Sequence, residues 1–108
     1  MAIIERDTKS VTIADRDGKV LTKIAAKGAN YQFDEPIDVT FDQLGHLYVL
    51  DRGKASVYVF SQKYKLITAF SILEKNPGAF TRAKAFALDA AGRMYIFDER
   101  AKRIQVYQ

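Results

Sequence analysis

The feature that most constrains the fold of this chain is an internal repeat with a spacing of 47 residues. The segment DQLGHLYVLDRGKASVYVF (42–60) returns as DAAGRMYIFDERAKRIQVY (89–107), with ten of 19 aligned positions identical or conservatively replaced. A partial third copy lies upstream at an offset of 46 residues, where IIERDTKSVTIA (3–14) aligns with VLDRGKASVYVF (49–60). Repeats of this length are typical of stacked structural units, because one unit cannot bury its hydrophobic surface alone.

Each repeat contains short apolar segments separated by turn signals. The segments are rich in β-branched and aromatic residues and are too short for helices, so they predict strands. They lie at 2–4, 11–14, 19–24, 36–41, 46–50, 56–60, 65–70, 84–88, 93–97 and 103–107. The only helical prediction is a turn or two within 71–84, which Pro77 and Gly78 interrupt.

The connections between these segments predict consecutive antiparallel hairpins. DRDG (15–18), DQLG (42–45) and DAAG (89–92) each begin with an Asp that can bond the turn backbone and end with a Gly that accepts positive φ. HLYVL (46–50) and RMYIF (93–97) are apolar at successive positions, which predicts strands buried on both faces. Each sheet should therefore have a neighbour on both sides.

The segment FDEPIDVTFDQLGHLYVLDRGKASVYVF (33–60) resembles the NHL repeat. An aromatic residue and a Pro precede strand A, an Asp…Gly turn leads to strand B, and an apolar strand C follows. The second copy has Ala83 in place of the Pro. The resemblance implies an all-β fold of antiparallel four-stranded meander blades in a partial β-propeller. It divides the chain into an incomplete blade with strands B–D (1–26), a full blade (27–72) and an incomplete blade with strands A–C (73–108).

About two and a half blades are too few to close a propeller, which needs about four to eight. If an uncovered blade face carries on the order of 400 Å² of apolar surface, exposing it forfeits about 10 kcal/mol. A whole domain is stable by only about 5–15 kcal/mol. We therefore expect either self-association, with a dimer completing a ring, or the remaining blades of a longer parent protein.

Composition excludes several classes of site. The chain has no Cys, which excludes disulfides and zinc–thiolate centres, and one histidine, His46, which excludes a His cluster within one chain. We expect no cofactor and no membrane insertion, since no apolar run approaches 18 residues. MAIIERDTKS has no signal-peptide layout. That predicts a cytoplasmic protein as the chain stands, although a parent could be extracytoplasmic.

The remaining candidate residues favour structural roles. We predict that His46 is a surface turn residue and that Asp15 and Asp17 form a turn rather than a calcium loop. The acids that recur in the repeat are expected to cap turns, namely Asp42, Asp51, Asp89 and Asp98. The aromatic residues Tyr31, Phe33 and Phe80 could stack on bases, but we favour packing within the blades.

The candidate interaction face is basic and lies in the B–C loops, which share one side of a propeller with the D–A loops. Its residues are Arg6, Arg52, Lys54, Arg82, Arg100 and Lys102, with Lys27 nearby. Acidic residues occupy the same loops, so a solvated rim of mixed charge is the alternative interpretation.

The most favoured function is a non-enzymatic protein-interaction or ligand-sensing scaffold, whose partner is a second copy, a parent protein or a protein ligand. One alternative is an RNA-binding face, because some NHL proteins bind RNA through basic residues. Steeply salt-dependent binding through Arg52 and Lys54 would distinguish it. The other is part of a propeller enzyme of the metal-dependent lactonase or lyase type, in which a homomeric ring would supply one His from each copy.

Overall fold

The computed structural model describes residues 1–71, 83–98 and 103–107, and the side chains of 1–70 and 86–97. These residues form ten strands and no helix. The strands are β1 (Ala2–Glu5), β2 (Ser10–Ala14), β3 (Val20–Ile24), β4 (Pro36–Phe41), β5 (Leu47–Asp51), β6 (Ser56–Phe60), β7 (Leu66–Ser71), β8 (Ala83–Leu88), β9 (Met94–Asp98) and β10 (Arg103–Tyr107). Each apolar segment is a strand, as the sequence predicted.

The strands form three antiparallel sheets in which each strand pairs with the next along the chain. Blade 1 contains β1–β3, blade 2 contains β4–β7 and blade 3 contains β8–β10. Strands β4, β5 and β6 recur as β8, β9 and β10 exactly one repeat later, 47 residues on. The sequence repeat is therefore a structural repeat. The residue boundaries drawn between blades, at 26/27 and 72/73, stay a prediction.

Four hairpin connections share the same turn. In the first, the backbone N–H groups of Asp17 and Lys19 donate to Oδ1 of Asp15, both at 2.9 Å. Asp42 and Asp89 cap their turns in the same way, and Ser61 does so with its hydroxyl oxygen. The turn-capping predictions are confirmed for Asp15, Asp42 and Asp89. The fourth residue of each turn has positive φ, and these residues are Gly18 (84°), Gly45 (86°), Gly92 (81°) and Tyr64 (61°).

The first hydrophobic core lies between blades 1 and 2. Blade 1 contributes Val11, Ile13 and Ile24, and blade 2 contributes Leu47, Val49, Tyr58 and Phe60. Phe33 is buried in this core and packs against the ring of Tyr58, with a centroid distance of 5.3 Å. The prediction that Phe33 packs in the blades is confirmed, and the structure places it in the core that joins two of them.

The second core lies between blades 2 and 3, where Leu50 and Val57 pack against Phe86, Met94 and Ile96. The backbone N–H of Phe86 also donates to Oδ2 of Asp38 across this boundary, at 3.1 Å. Both faces of blade 2 are thus covered, which is why apolar residues follow one another without alternation in β5.

The corresponding prediction for RMYIF is wrong on one face. Met94 and Ile96 are buried, but the side chain of Phe97 is 40% exposed. The reason is that Phe97 lies on the face of β9 opposite to Met94 and Ile96, and no described blade covers that face of blade 3.

Two predictions concern residues outside the described ranges. The helical turns predicted within 71–84 fall mostly on 72–82, and Phe80 lies in the same stretch.

In the ranges that are described, no helix has the length and apolar character needed to cross a membrane.

Candidate interaction surfaces

A completely buried carboxylate organises the B–C loop of blade 2. Asp51, at the end of β5, accepts hydrogen bonds from the backbone N–H groups of Asp34 (2.7 Å), Glu35 (2.8 Å) and Lys54 (3.1 Å). Three donors are the kind of partners that a buried charge needs. Asp51 therefore caps its own turn, as predicted, and also ties the B–C loop to the segment preceding β4. The side chain of Asp98, its equivalent in blade 3, is not among those described.

The B–C loops of blades 1 and 2 have the same backbone conformation. The N–H of Lys9 donates to the carbonyl of Arg6, and the N–H of Ala55 donates to the carbonyl of Arg52, both at 3.2 Å. Lys9 and Ala55 each have positive φ, at 54° and 47°. Arg6 and Arg52 thus occupy equivalent positions in consecutive blades.

These loops lie beside the segment that precedes β4. Nη2 of Arg52 lies 2.5 Å from Oε1 of Glu35, and Nζ of Lys9 lies 3.8 Å from Oδ1 of Asp34. A pocket of about 170 Å³ is lined by Arg6, Lys9, Asp34, Glu35 and Pro36. Acidic groups therefore lie among the basic ones, which favours the mixed-charge interpretation of this surface over a uniformly basic face.

Only part of the predicted basic face lies within the described residues, and its role in interaction stays a prediction. Lys54 is exposed in the same loop as Arg52. Arg82, Arg100 and Lys102 lie outside the described residues.

The single histidine lies at the opposite end of the strands, in the A–B turn of blade 2. Nδ1 of His46 is 2.9 Å from Oδ2 of Asp42, and the hydroxyl of Tyr48 donates to the same oxygen at 3.4 Å. In blade 3, Nε of Arg93 and the hydroxyl of Tyr95 make the equivalent contacts. Arg93 occupies the position of His46 in the next repeat. This position therefore requires a side chain that donates a hydrogen bond to the turn carboxylate, and it does not require an imidazole. The turn prediction for His46 is confirmed.

These contacts shift the pKa of both turn carboxylates. Burial alone would raise the pKa of Asp42, but hydrogen bonds from the backbone and ring of His46 and from the backbone of Leu44 outweigh it and lower the pKa. The pKa of Asp89 is lowered to about 2, chiefly by the hydrogen bond from the backbone N–H of Arg93, with further lowering by the side chains of Arg93 and Tyr95 that outweighs the effect of burial. Both carboxylates are therefore held ionised by the folded structure.

We expect the protein to lose stability between about pH 4 and pH 2. A carboxyl whose folded-state pKa lies below its unfolded value of about 3.9 stabilises the fold above that value and loses the effect as pH falls. Urea unfolding midpoints should therefore fall over this range, and Asp89→Asn should lower the midpoint at pH 7 and make the acid-induced fall shallower. Asp17→Asn, at an exposed turn position, is the matched control. An equally steep fall in Asp89→Asn would contradict the role of this carboxylate.

The end faces are the outward surfaces of blades 1 and 3, and both expose apolar residues. Ile3 of blade 1 is 46% exposed, whereas Val49, at the equivalent position of blade 2, is completely buried. Phe97 is 40% exposed, whereas its equivalent, Leu50, is completely buried. The residues of each pair occupy the same position in the repeat, and the more buried one has a described blade on its side of the sheet. Ile3 also lies on an edge strand, because blade 1 begins at β1.

In the described parts of the chain, no three His, Cys, Asp or Glu side chains converge as a metal site would require.

Comparison with known proteins places these blades among propeller repeats. No family model matches the chain. NHL repeat-containing protein 3 from Homo sapiens and its counterpart from Mus musculus are each 28% identical to the chain over 79 residues. The match covers 70% of this chain but only 23% of each relative. The chain thus spans under a quarter of the length of these proteins.

Two solved structures of virginiamycin B lyase from Staphylococcus aureus share the fold. The catalytically inactive form with quinupristin aligns over 95% of this chain and 35% of the lyase, with a TM-score of 0.65 and 10% identity. The selenomethionine-substituted form aligns over 99% and 36%, with a TM-score of 0.66 and 11% identity. At such identities the match establishes architecture and not activity. The chain is a partial β-propeller built from NHL-like repeats.

Proposed function

We propose that this chain is a non-enzymatic protein-interaction scaffold whose end faces bind further propeller blades. One observation carries the proposal: Ile3 and Phe97 are exposed at positions whose equivalents, Val49 and Leu50, are completely buried between blades. Burying a large apolar side chain is worth about 1.5–3 kcal/mol. A partner that covered several such side chains on each end face would gain substantial binding energy.

A second copy of the chain fits these surfaces. Ile3 is equivalent to Val49, which blade 2 directs at blade 1, and Phe97 is equivalent to Leu50, which blade 2 directs at blade 3. The outward face of blade 3 in one copy and that of blade 1 in another therefore correspond to the two kinds of face that meet inside the chain, with blade 1 contributing three strands. Two copies would complete a ring through two such contacts, a closed head-to-tail arrangement. In a longer parent protein, further blades would take the same place.

The mixed-charge surface around Glu35 and Arg52 is the second binding surface of the scaffold. It is polar and is held in shape by the buried Asp51, as expected for the rim of a protein–protein interface. A protein ligand of mixed charge suits this surface better than a polyanion, because Asp34 and Glu35 would repel phosphate groups.

Charged substitutions on the end faces test the proposal. Ile3→Asp and Phe97→Asp should each abolish association, because either one places a carboxylate in both contacts of a two-copy ring. Light scattering should report the mass of one chain for each variant. Leu44→Asp is the matched control, since Leu44 is 68% exposed in a turn away from both end faces, and it should associate normally.

Mixing the two variants gives a sharper result. One contact in the mixture pairs an unaltered blade 1 face with an unaltered blade 3 face, so a complex of two chains should form again. If two blade 1 faces met each other instead, or two blade 3 faces did, one of the two variants would still associate alone. That pattern, or association that neither substitution reduces, would overturn the proposed arrangement.

A further inference from the structure

We propose that a pocket beside the C–D turn of blade 2 binds a small aromatic carboxylate. The pocket has a volume of about 380 Å³ and is lined by Ala29, Asn30, Tyr31, Tyr64, Lys65 and Leu66. Sites for small molecules usually measure about 300–1,000 Å³. This site is separate from the end faces and does not depend on association of the chain.

The first observation is the backbone conformation of Tyr64. Its φ is 61°, in the left-handed region, whereas its equivalent in blade 1 is Gly18 and two further turns of the same type have Gly45 and Gly92. Glycine adopts this conformation without strain, whereas other residues pay about 1–2 kcal/mol. The turn itself thus does not require tyrosine. The Tyr64 side chain packs partly against the first core, and this packing fixes its ring beside the pocket despite the backbone strain.

The second wall of the pocket is held rigidly. The hydroxyl of Tyr31 donates to the carbonyl of Ala25 at 3.0 Å, and its ring packs edge-on against Phe60, with a centroid distance of 5.2 Å. Gly28 lies directly against this ring, because a Cβ there would come within 2.1 Å of a ring carbon. A wall that is already fixed loses little conformational entropy when a ligand binds.

The polar groups of the pocket define the charge of the ligand. The ammonium of Lys65, the amide of Asn30 and the hydroxyl of Tyr64 form no hydrogen bond or ion pair with any other residue that the structure describes. None of the described residues that line this pocket is acidic, whereas Asp34 and Glu35 line the smaller one. Two tyrosine rings can stack on a flat ring, and the ammonium and amide can bind an anionic group at its edge.

Binding of naphthalene-2-carboxylate tests the assignment. For a ligand of this size we expect a Kd on the order of 1 mM, measured by NMR titration of the ¹⁵N-labelled chain with shifts confined to residues around 29–31 and 64–66. The uncharged naphthalene-2-carboxamide should bind about tenfold more weakly, because it lacks the charge that Lys65 recognises. Absence of saturable shifts up to about ten times this Kd would overturn the proposal.

Three variants separate binding from folding. Lys65→Ala should weaken binding about tenfold, whereas Lys19→Ala, at the equivalent position of the turn that contains Gly18, should leave it unchanged. Tyr64→Gly should abolish binding and still unfold cooperatively, because glycine relieves the strained φ and the side chain that it removes lies only partly buried at the edge of the first core. Equal effects of Lys65→Ala and Lys19→Ala, or undiminished binding by Tyr64→Gly, would show that the pocket does not hold the ligand.

Discussion

Replacing Asp51 by alanine is expected to lower the free energy of unfolding by about 3 kcal/mol or more. The substitution removes the carboxylate that accepts from the backbone N–H groups of Asp34, Glu35 and Lys54. A hydrogen bond to a charged group contributes about 1.5–3 kcal/mol, and these three bonds are partly buried. The loss should also release the segment before β4 from the B–C loop.

Urea unfolding at a fixed protein concentration measures this effect, because association contributes to apparent stability. Asp51→Asn should have an intermediate effect, since the amide keeps one acceptor oxygen but places a donor near the backbone N–H groups. Asp17→Ala, at an exposed turn position, should change the free energy by no more than about 0.5 kcal/mol. A loss of under 1 kcal/mol for Asp51→Ala would contradict the role assigned to the carboxylate.

Replacing Phe60 by alanine is expected to destabilise the protein by about 3–5 kcal/mol, the usual range for a large aromatic residue removed from a core. Phe60 is completely buried between blades 1 and 2, where its ring meets Tyr31 at 5.2 Å and Phe33 at 6.0 Å between centroids. The cavity would lie at the centre of the first core, which joins the two blades.

Phe41→Ala is the matched control, because Phe41 ends β4 and is 37% exposed. It removes the same side chain from a partly solvated site and should cost about 1 kcal/mol. Equal losses for the two variants would show that the contact between blades 1 and 2 is not a principal source of stability.

The strands and their order could be predicted because two independent signals agree. Each strand is a short apolar segment between turn residues, and the repeat places the segments of one blade over those of the next. The Asp-to-Gly turns were predictable for the same reason, since their chemistry is local. The prediction that Phe97 is buried was wrong. Its strand has the sequence of a strand that lies between two blades, and only the tertiary arrangement shows that the described residues supply one of those two blades.

The long-range contacts of the site could not be derived from the sequence. The recurrence of Asp51 predicted turn capping, but its bonds to Asp34 and Glu35 join residues 16 and 17 positions apart through a fold that local patterns do not specify. The pairing of Arg52 with Glu35 was likewise hidden, although acidic residues in neighbouring loops indicated mixed charge. The sequence did contain a signal for the positive φ of Tyr64, because the 46-residue offset aligns this residue with Gly18 in an equivalent turn.

The solution mass of the chain, measured by light scattering over a concentration series, tests the central claim most directly. Exposed end faces that reproduce the internal contact between blades predict a mass of about twice the 12.2 kDa chain at the higher concentrations. A monodisperse monomer that unfolds cooperatively at every concentration would show that the end faces need no covering blade, and would contradict the claim.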